Sequence, residues 1–312
     1  MTVRKPRERS YAARLDRVLD HITEHLDEEL SLATLARVAG FSPFHFHRLF
    51  QGHVGETVHA HVKRMRVERA ASIMRAQPRR SLTELALECG FPALSDLSRA
   101  FKARFGIAPS AWDRVSPLPA SKLEHETLPS RAGFRAKLAT LPRSLFVYTR
   151  VANPYGNQRL VEVYESTRRW LDAIGRTPDD VVFAGMSIDD PAVTPLAQCR
   201  YDLGIVFPMS ATGVVADIAR ARRAPLVPAL PSPVEVERAG LSVRRFAELD
   251  LVTVHCDGTL DVVAAAWTWL YGTYLPRQSR LPANHPAMEL FVRLPEHIGW
   301  ERFDLLACVP LR

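Results

Sequence analysis

The sequence predicts a multidomain chain: an all-α domain with two helix-turn-helix units, followed by an α+β domain of two strand-helix-strand-strand repeats. Three observations lead there. The 312 residues, 47% hydrophobic and 24% charged, have the size and composition of about two globular domains. A segment near the amino terminus occurs twice. Past a proline-containing stretch the periodicity changes from helical to alternating strand and helix. The boundaries read from these changes are 1–115 for the helical domain, 116–137 for a linker and 138–312 for the α+β domain.

The repeat pairs "LSLATLARVAGFSPFHFHRLFQ" (30–51) with "RSLTELALECGFPALSDLSRAFK" (80–102). Ser31/Ser81, Leu32/Leu82, Leu35/Leu85, Ala36/Ala86, Gly40/Gly90 and Phe41/Phe91 match at a spacing of 50. Beyond the phenylalanines the spacing is 51, pairing Arg48 with Arg99 and Phe50 with Phe101, so the second copy has one extra residue in its turn or at the following helix start. Each copy has a small alanine where two helices would cross closely and a glycine four residues on, where a tight turn needs positive φ. Ser42-Pro43 has the form of a helix start, serine as N-cap and proline in the first turn.

Ahead of the first copy, Leu15, Val18, Leu19, Ile22 and Leu26 fall at helical spacing. Between the copies, 57–77 reads as one helix ended by Pro78. At 1.5 Å per residue it is ~30 Å long, near the ~34 Å of one duplex turn. Of 41 Lys+Arg and 34 Asp+Glu in the chain, 19 and 13 lie in residues 1–115, leaving 22 against 21 in the remainder. The positive excess therefore belongs to the helical domain, as expected of a segment that meets phosphates.

This arrangement resembles the AraC/XylS family of transcription regulators over residues 12–114. The most specific part is "LALECGFPALSDLSRAFKARFGIAPSAW" (85–112), with Phe101, Phe105, Gly106 and Pro109 in the family's tail pattern. The resemblance implies double-stranded DNA as partner. It places base-reading positions on the early turns of each recognition helix, at Phe44, His47 and Arg48 and at Ser95, Asp96 and Arg99. Arg48 and Arg99 have the chemistry for a bidentate contact to guanine, and equally for a phosphate or a helix-end carboxylate. Phe44 suits a thymine methyl or a packing role. Asp96 suits cytosine N4 or the orientation of Arg99. Lys63, Arg64, Arg66, Lys102 and Arg104 are read as phosphate contacts.

In the second domain the expected strands are 137–151, 179–188, 199–207, 241–258, 287–294 and 302–311, with helices at 158–174 and 260–275 and a proline-rich break at 223–236. Arg200-Tyr201-Asp202 answers Arg302-Phe303-Asp304, and Pro191 answers Pro295, so this domain is also a duplication, its helices expected on one face. The crevice between such halves suits a ligand. "MELFVRLP" and "WERFDLLACVPL" (288–311) resemble the GyrI-like effector-binding domain, which implies a small-molecule sensor. The family's pocket glutamate, which pairs with cationic apolar compounds, falls on Glu289. Phe291 stands where a tyrosine is usual.

Read from the residues alone, Glu289 lies between Met288 and Leu290 on a half-buried strand. There a carboxylate must be paired, protonated or awaiting a cation; solvent exposure or an arginine partner are the alternatives. Trp267, Trp269, Tyr271 and Tyr274, with Phe291, supply either walls for a cation or core packing.

The four cysteines stand singly, with no paired spacing for a disulfide framework or zinc; His45/His47 and His59/His61 point to different helix faces, and nothing near the i, i+4 pair His21/His25 completes a metal site. No nucleophile elbow or phosphate loop occurs. The expected function is a sequence-specific transcription regulator with a small-molecule effector, no cofactor, no metal and no enzymatic activity. RNA polymerase is a further candidate partner. The alternative is that the second domain is a small-molecule hydrolase or a module for a protein partner such as a topoisomerase. No apolar run reaches the ~18 residues of a membrane span. A cytoplasmic chain without membrane contact is expected.

Overall fold

The computed structural model of the chain describes residues 6–112, 133–154, 158–191, 193–223, 230–278, 280, 282–283 and 285–312. Residues 116–132 of the expected linker lie outside them. The chain divides into two compact units.

The first unit contains α1 (Pro6–Glu24), α2 (Leu32–Ala39), α3 (Pro43–Val54), α4 (Val58–Ala76), α5 (Leu82–Glu88) and α6 (Leu94–Phe105). Side chains start three of these helices. Ser31 Oγ accepts from Thr34 N–H, Ser42 Oγ from His45 N–H and Thr57 Oγ1 from Ala60 N–H, each such cap contributing about 1 kcal/mol. Gly40 and Gly90 end the first helix of each pair at φ +65° and +78°, as the turn requires. The extra residue of the second copy lies in its turn: α3 begins three residues after Gly40, α6 four after Gly90, and Ala93 gives α6 no side-chain cap.

The helices enclose two cores. Leu15, Val18, Leu19, Ile22 and Leu26 pack with Leu35, Ala36, Ala39, Phe46 and Phe50. Ala70, Ala71 and Met74 pack with Leu85, Ala86, Leu97 and Phe101. Thus α4 is more than the expected connector: it does for α5 and α6 what α1 does for α2 and α3.

The second unit contains β1 (Ala136–Leu141), β2 (Ser144–Ala152), α7 (Arg159–Ala173), β3 (Val182–Ser187), β4 (Arg200–Pro208), α8 (Gly213–Arg222), α9 (Pro233–Ala239), β5 (Ser242–Phe246), β6 (Leu249–Gly258), α10 (Leu260–Trp269), β7 (Met288–Arg293), α11 (Pro295–Ile298) and β8 (Phe303–Pro310). The strands form one antiparallel sheet in the order β1-β6-β8-β7-β3-β4-β2-β5. The expected single strands at 137–151 and 241–258 are each two. The first breaks at Pro142-Arg143 and the second at Ala247-Glu248, and in both cases the two pieces pair at opposite ends of the sheet. In a flat sheet those pieces would lie six strand spacings of ~4.8 Å apart, ~29 Å. Three Cα steps of 3.8 Å reach at most ~11 Å. The sheet must curl until its ends approach.

It follows that each half of the duplication contributes its first strand to the other: β1 borders β6, and β5 borders β2. Side-chain alternation then makes two apolar faces. Phe146, Tyr148, Val182, Ala184, Val206, Met288 and Leu290 form the inner one, covered by Val214, Val215 and Ile218 of α8. On the outer face, Val147, Phe183, Leu203 and Ile205 pack on Tyr164 and Leu171 of α7. Val252, Val254, Leu305 and Ala307 pack on Val263, Ala266 and Leu270. Helices therefore cover both faces, because α8, absent from the sequence reading, occupies the inside of the curl.

Candidate functional site

The first site is assembled on α3 and α6, which follow the two tight turns. Phe44, in the first turn of α3, is 74% exposed although apolar. It is not part of the buried core of the unit. The Arg48 guanidinium lies 5.9 Å from the Phe44 ring centroid, one turn on, and stacks on it over the solvent face. His47 is half-buried beside them. On α6, Ser95 and Arg99 are exposed and Asp96 is half-buried. Asp96 and Arg99 form an ion pair across one turn, so of the two roles open to Asp96 the geometry favours holding the Arg99 fork. Lys63 and Lys102 are exposed.

Three basic residues read from sequence as phosphate contacts are engaged within the unit. Arg64 binds Glu56 at 2.7 Å and Glu68 at 2.9 Å. Arg104 binds Glu68 at 2.7 Å. Arg66 donates to the Leu26 and Glu28 carbonyls at 2.7 and 2.6 Å. Their charges are committed to the protein's own acceptors. A Cβ on Gly90 would meet the Leu26 carbonyl at 2.3 Å and Arg66 at 2.8 Å, so the second turn needs glycine for this close approach as well as for its φ.

The second site lies at the seam of the duplicated sheet, where β3 and β7 pair. Glu289 stands opposite Gly185 on one side and Ala307 on the other, and these small neighbours leave space above the strands. The Pro191/Pro295 spacing makes Gly185 the first-half counterpart of Glu289. Tyr201 exploits the missing side chain: a Cβ on Gly185 would fall 1.6 Å from the Tyr201 hydroxyl. The tyrosine lies across the bare strand and donates its hydroxyl hydrogen to Glu289 Oε2, while Trp267 Nε1–H donates to Oε1 at 3.1 Å. The residue retains some exposure, yet its carboxylate is enclosed. That burial raises the Glu289 carboxyl above its ordinary range, against the opposing pull of the two donors.

Around it, Tyr271 stacks on Trp267 with ring centroids 6.2 Å apart. Phe291, on the same face of β7, packs into the apolar clusters of both halves. The structure thus brings together Glu289, Trp267, Tyr271 and Phe291 of the expected residues. It does not bring in Trp269. Two residues along α10 from Trp267, this side chain points elsewhere and packs on Phe134 and Tyr274, centroids 5.9 and 5.4 Å away. Tyr201 is the residue that sequence reasoning missed; it was visible only as part of the Arg-Tyr-Asp repeat. It supplies a phenolic hydroxyl to a site where Phe291 lacks one.

The cysteines offer no nucleophile. All four are buried, and burial pushes the Cys89 and Cys256 thiols up to about 12. Among the described residues no group of histidine, cysteine and carboxylate side chains could hold a metal ion, and no helix is long and apolar enough to cross a membrane.

Comparison with known proteins follows the same division. Residues 35–114 match the model of a helix-turn-helix domain family, and residues 137–311 that of the GyrI-like small molecule binding domain. The probable transcriptional regulator LumQ of Photobacterium leiognathi is 34% identical over 101 residues, 32% of this chain and 40% of that protein. The right origin-binding protein of Escherichia coli is 26% identical over 162 residues, 49% of this chain and 54% of that protein. The chain thus spans about half or less of the length of these curated relatives. Among solved structures, the DNA-binding domain of AdpA in complex with a target DNA is 29% identical, with a TM-score of 0.29, covering 31% of this chain and 87% of that one.

Proposed function

The chain belongs to the GyrI-like small-molecule-binding family and carries an AraC-type helix-turn-helix domain ahead of it; from that premise we propose that it is a sequence-specific transcription regulator controlled by a small effector. The observation that carries this reading is a doubled helix-turn-helix in which both recognition helices present side chains the protein's own core does not use. Phe44 with Arg48, and Ser95 with Arg99, face solvent at equivalent places. In this reading residues 1–115 bind double-stranded DNA in the cytoplasm and 138–312 sense the effector, with 116–137 between them.

Arg48 and Arg99 are assigned to base edges, each worth ~1–3 kcal/mol of discrimination. Phe44 is assigned to a thymine methyl, and Lys63 and Lys102 to phosphates. His47 and Ser95 contact the same groove, and Asp96 fixes the Arg99 rotamer. Glu289, with Trp267, Tyr271, Phe291 and Tyr201, receives a cationic apolar effector, whose positive charge offsets the cost of an enclosed carboxylate. The effector changes DNA affinity, or contact with RNA polymerase, by as much as its affinity differs between two states.

Binding-site selection from random duplex DNA with the full chain tests the reading. Wild-type protein enriches a two-part sequence with salt-sensitive affinity, and Arg99→Ala loses preference at one base position. Failure of the wild-type protein to enrich any sequence rejects it.

A further inference from the structure

The two three-helix units of the DNA-binding domain do not share a hydrophobic core. Among the described residues, Val58, Val62 and Met65 of α4 belong to the first core, and Val67, Ala70, Ala71 and Met74 to the second. Apolar packing is non-directional. It holds each unit to its half of α4 but fixes poorly the angle at which one unit meets the other.

A chain of directional contacts runs across the gap. Glu56 lies in the short junction after α3, the first recognition helix. It accepts from His61 Nδ1 at 2.8 Å and from Arg64 at 2.7 Å. Arg64 also donates to Glu68 Oε2 at 2.9 Å, and Glu68 Oε1 accepts from Arg104 at 2.7 and 3.2 Å. Arg104 sits in the last turn of α6, the second recognition helix. His61, Arg64 and Glu68 are spaced three and four apart, along one face of α4. Glu68 is 6% exposed and Arg64 15%, so water screens these charges little. Arg66, with its bonds to Leu26 and Glu28, ties the first unit to the second turn at another point.

We propose that the side-chain chain Glu56–Arg64–Glu68–Arg104 positions the two recognition helices relative to each other and so sets which spacing between half-sites the protein accepts. Charge-assisted bonds to a shared carboxylate have narrow geometry, and the desolvation of a buried ion pair offsets much of its attraction, so such a pair adds little net stability. None of the four is needed to touch a base. This inference rests on the DNA-binding reading above.

The test uses the full chain and the duplex that selection with wild-type protein returns, together with versions carrying one base pair inserted or deleted between the half-sites. One inserted pair turns the second half-site by ~35° about the duplex axis. Wild-type affinity is expected to fall at least ~10-fold on such duplexes, the scale of one lost base contact. In Arg104→Gln that spacing penalty shrinks to under ~3-fold, while affinity for a duplex with a single half-site stays within ~2-fold of wild type. Arg104→Lys restores most of the penalty.

Glu68→Gln is expected to behave like Arg104→Gln. If it does not fold, Arg104→Gln and Arg64→Gln carry the test, since each leaves Glu68 one arginine. A folded Arg104→Gln that keeps the full spacing penalty overturns the proposal, as does one whose single-half-site affinity falls as much as its affinity for the whole site. A wild-type protein that selects no sequence removes the DNA-binding reading and this inference with it, which is a different outcome from a penalty the variants retain.

Discussion

The two halves of the curled sheet bury the same aspartate but give it different partners. In the first half Asp202 is wholly buried. It takes both prongs of Arg150 at 2.7 Å, with Arg244 at 3.4 Å, and both guanidinium carbons lie 5.5 Å from the Tyr148 ring centroid. In the second half its counterpart Asp304 accepts from His255 at 2.7 Å and pairs with Arg293, and both partners are about half exposed. The exchanged strands explain the difference. The strand lent to the first half, β5, brings Arg244 over Asp202, whereas among the described residues the ion-pair partners of Asp304 come from β6 and β7 and not from β1, the strand lent to the second half. A duplicated fold can therefore keep its topology and bury the same aspartate twice, once against buried arginines and once, at 4% exposure, against partners that reach into water. The seam repeats the lesson, with a carboxylate at Glu289 where the first copy has Gly185.

The largest expected effect breaks the comparison at its deepest point. Asp202→Asn leaves two buried guanidiniums without their shared carboxylate and should cost about 3–5 kcal/mol, against about 1–3 kcal/mol for Asp304→Asn, which is buried but whose half-exposed partners can turn to water. Urea unfolding of both variants measures this, and equal losses would show that the halves are energetically alike. Next, Gly185→Ala drives a methyl into Tyr201. The ring must leave, at about 1–3 kcal/mol by thermal or urea melting; unchanged stability would mean that the tyrosine does not lie across the strand.

Tyr201→Phe is milder, about 1 kcal/mol for one lost hydrogen bond. It should also abolish any difference in effector response that depends on the phenol, read by titration calorimetry with a cationic dye. The smallest effect is a slope. Because the folded state raises the Glu289 carboxyl, this group's contribution is fully present below its unfolded value, near 4.5. It is lost as pH rises through the raised folded value. Relative to Glu289→Gln, wild-type protein should lose stability as pH climbs from about 4 toward neutrality, and parallel curves would deny the enclosure of the carboxylate.

Local grammar made the first domain legible. Ser42-Pro43, Gly40 and Gly90, and the leucines at helical spacing each state their own structure. The partners of its basic residues were not legible, because Arg64, Arg66 and Arg104 find acceptors that only folding brings near; Arg66, for example, reaches back to Leu26. In the second domain the seam glutamate could be placed, but Tyr201 could not, since its role depends on a bare backbone at Gly185, on the neighbouring strand. The helix α9 was written in the text: Ser232 and Glu235 form a capping box around Pro233, inside what reads as a proline-rich break. Pro142 likewise marked the end of a strand, whereas nothing at Ala247-Glu248 announces that the chain crosses to the far edge.

That crossing has a consequence for what this domain can be reduced to. A lone half would present one naked border and one orphan ribbon, each seeking a mate on a neighbouring molecule. Covalent fusion turns what would be a concentration-dependent meeting of two chains into an encounter within one, at millimolar effective concentration. Heat should therefore melt both lobes together, and neither can be cut away to leave a working remainder.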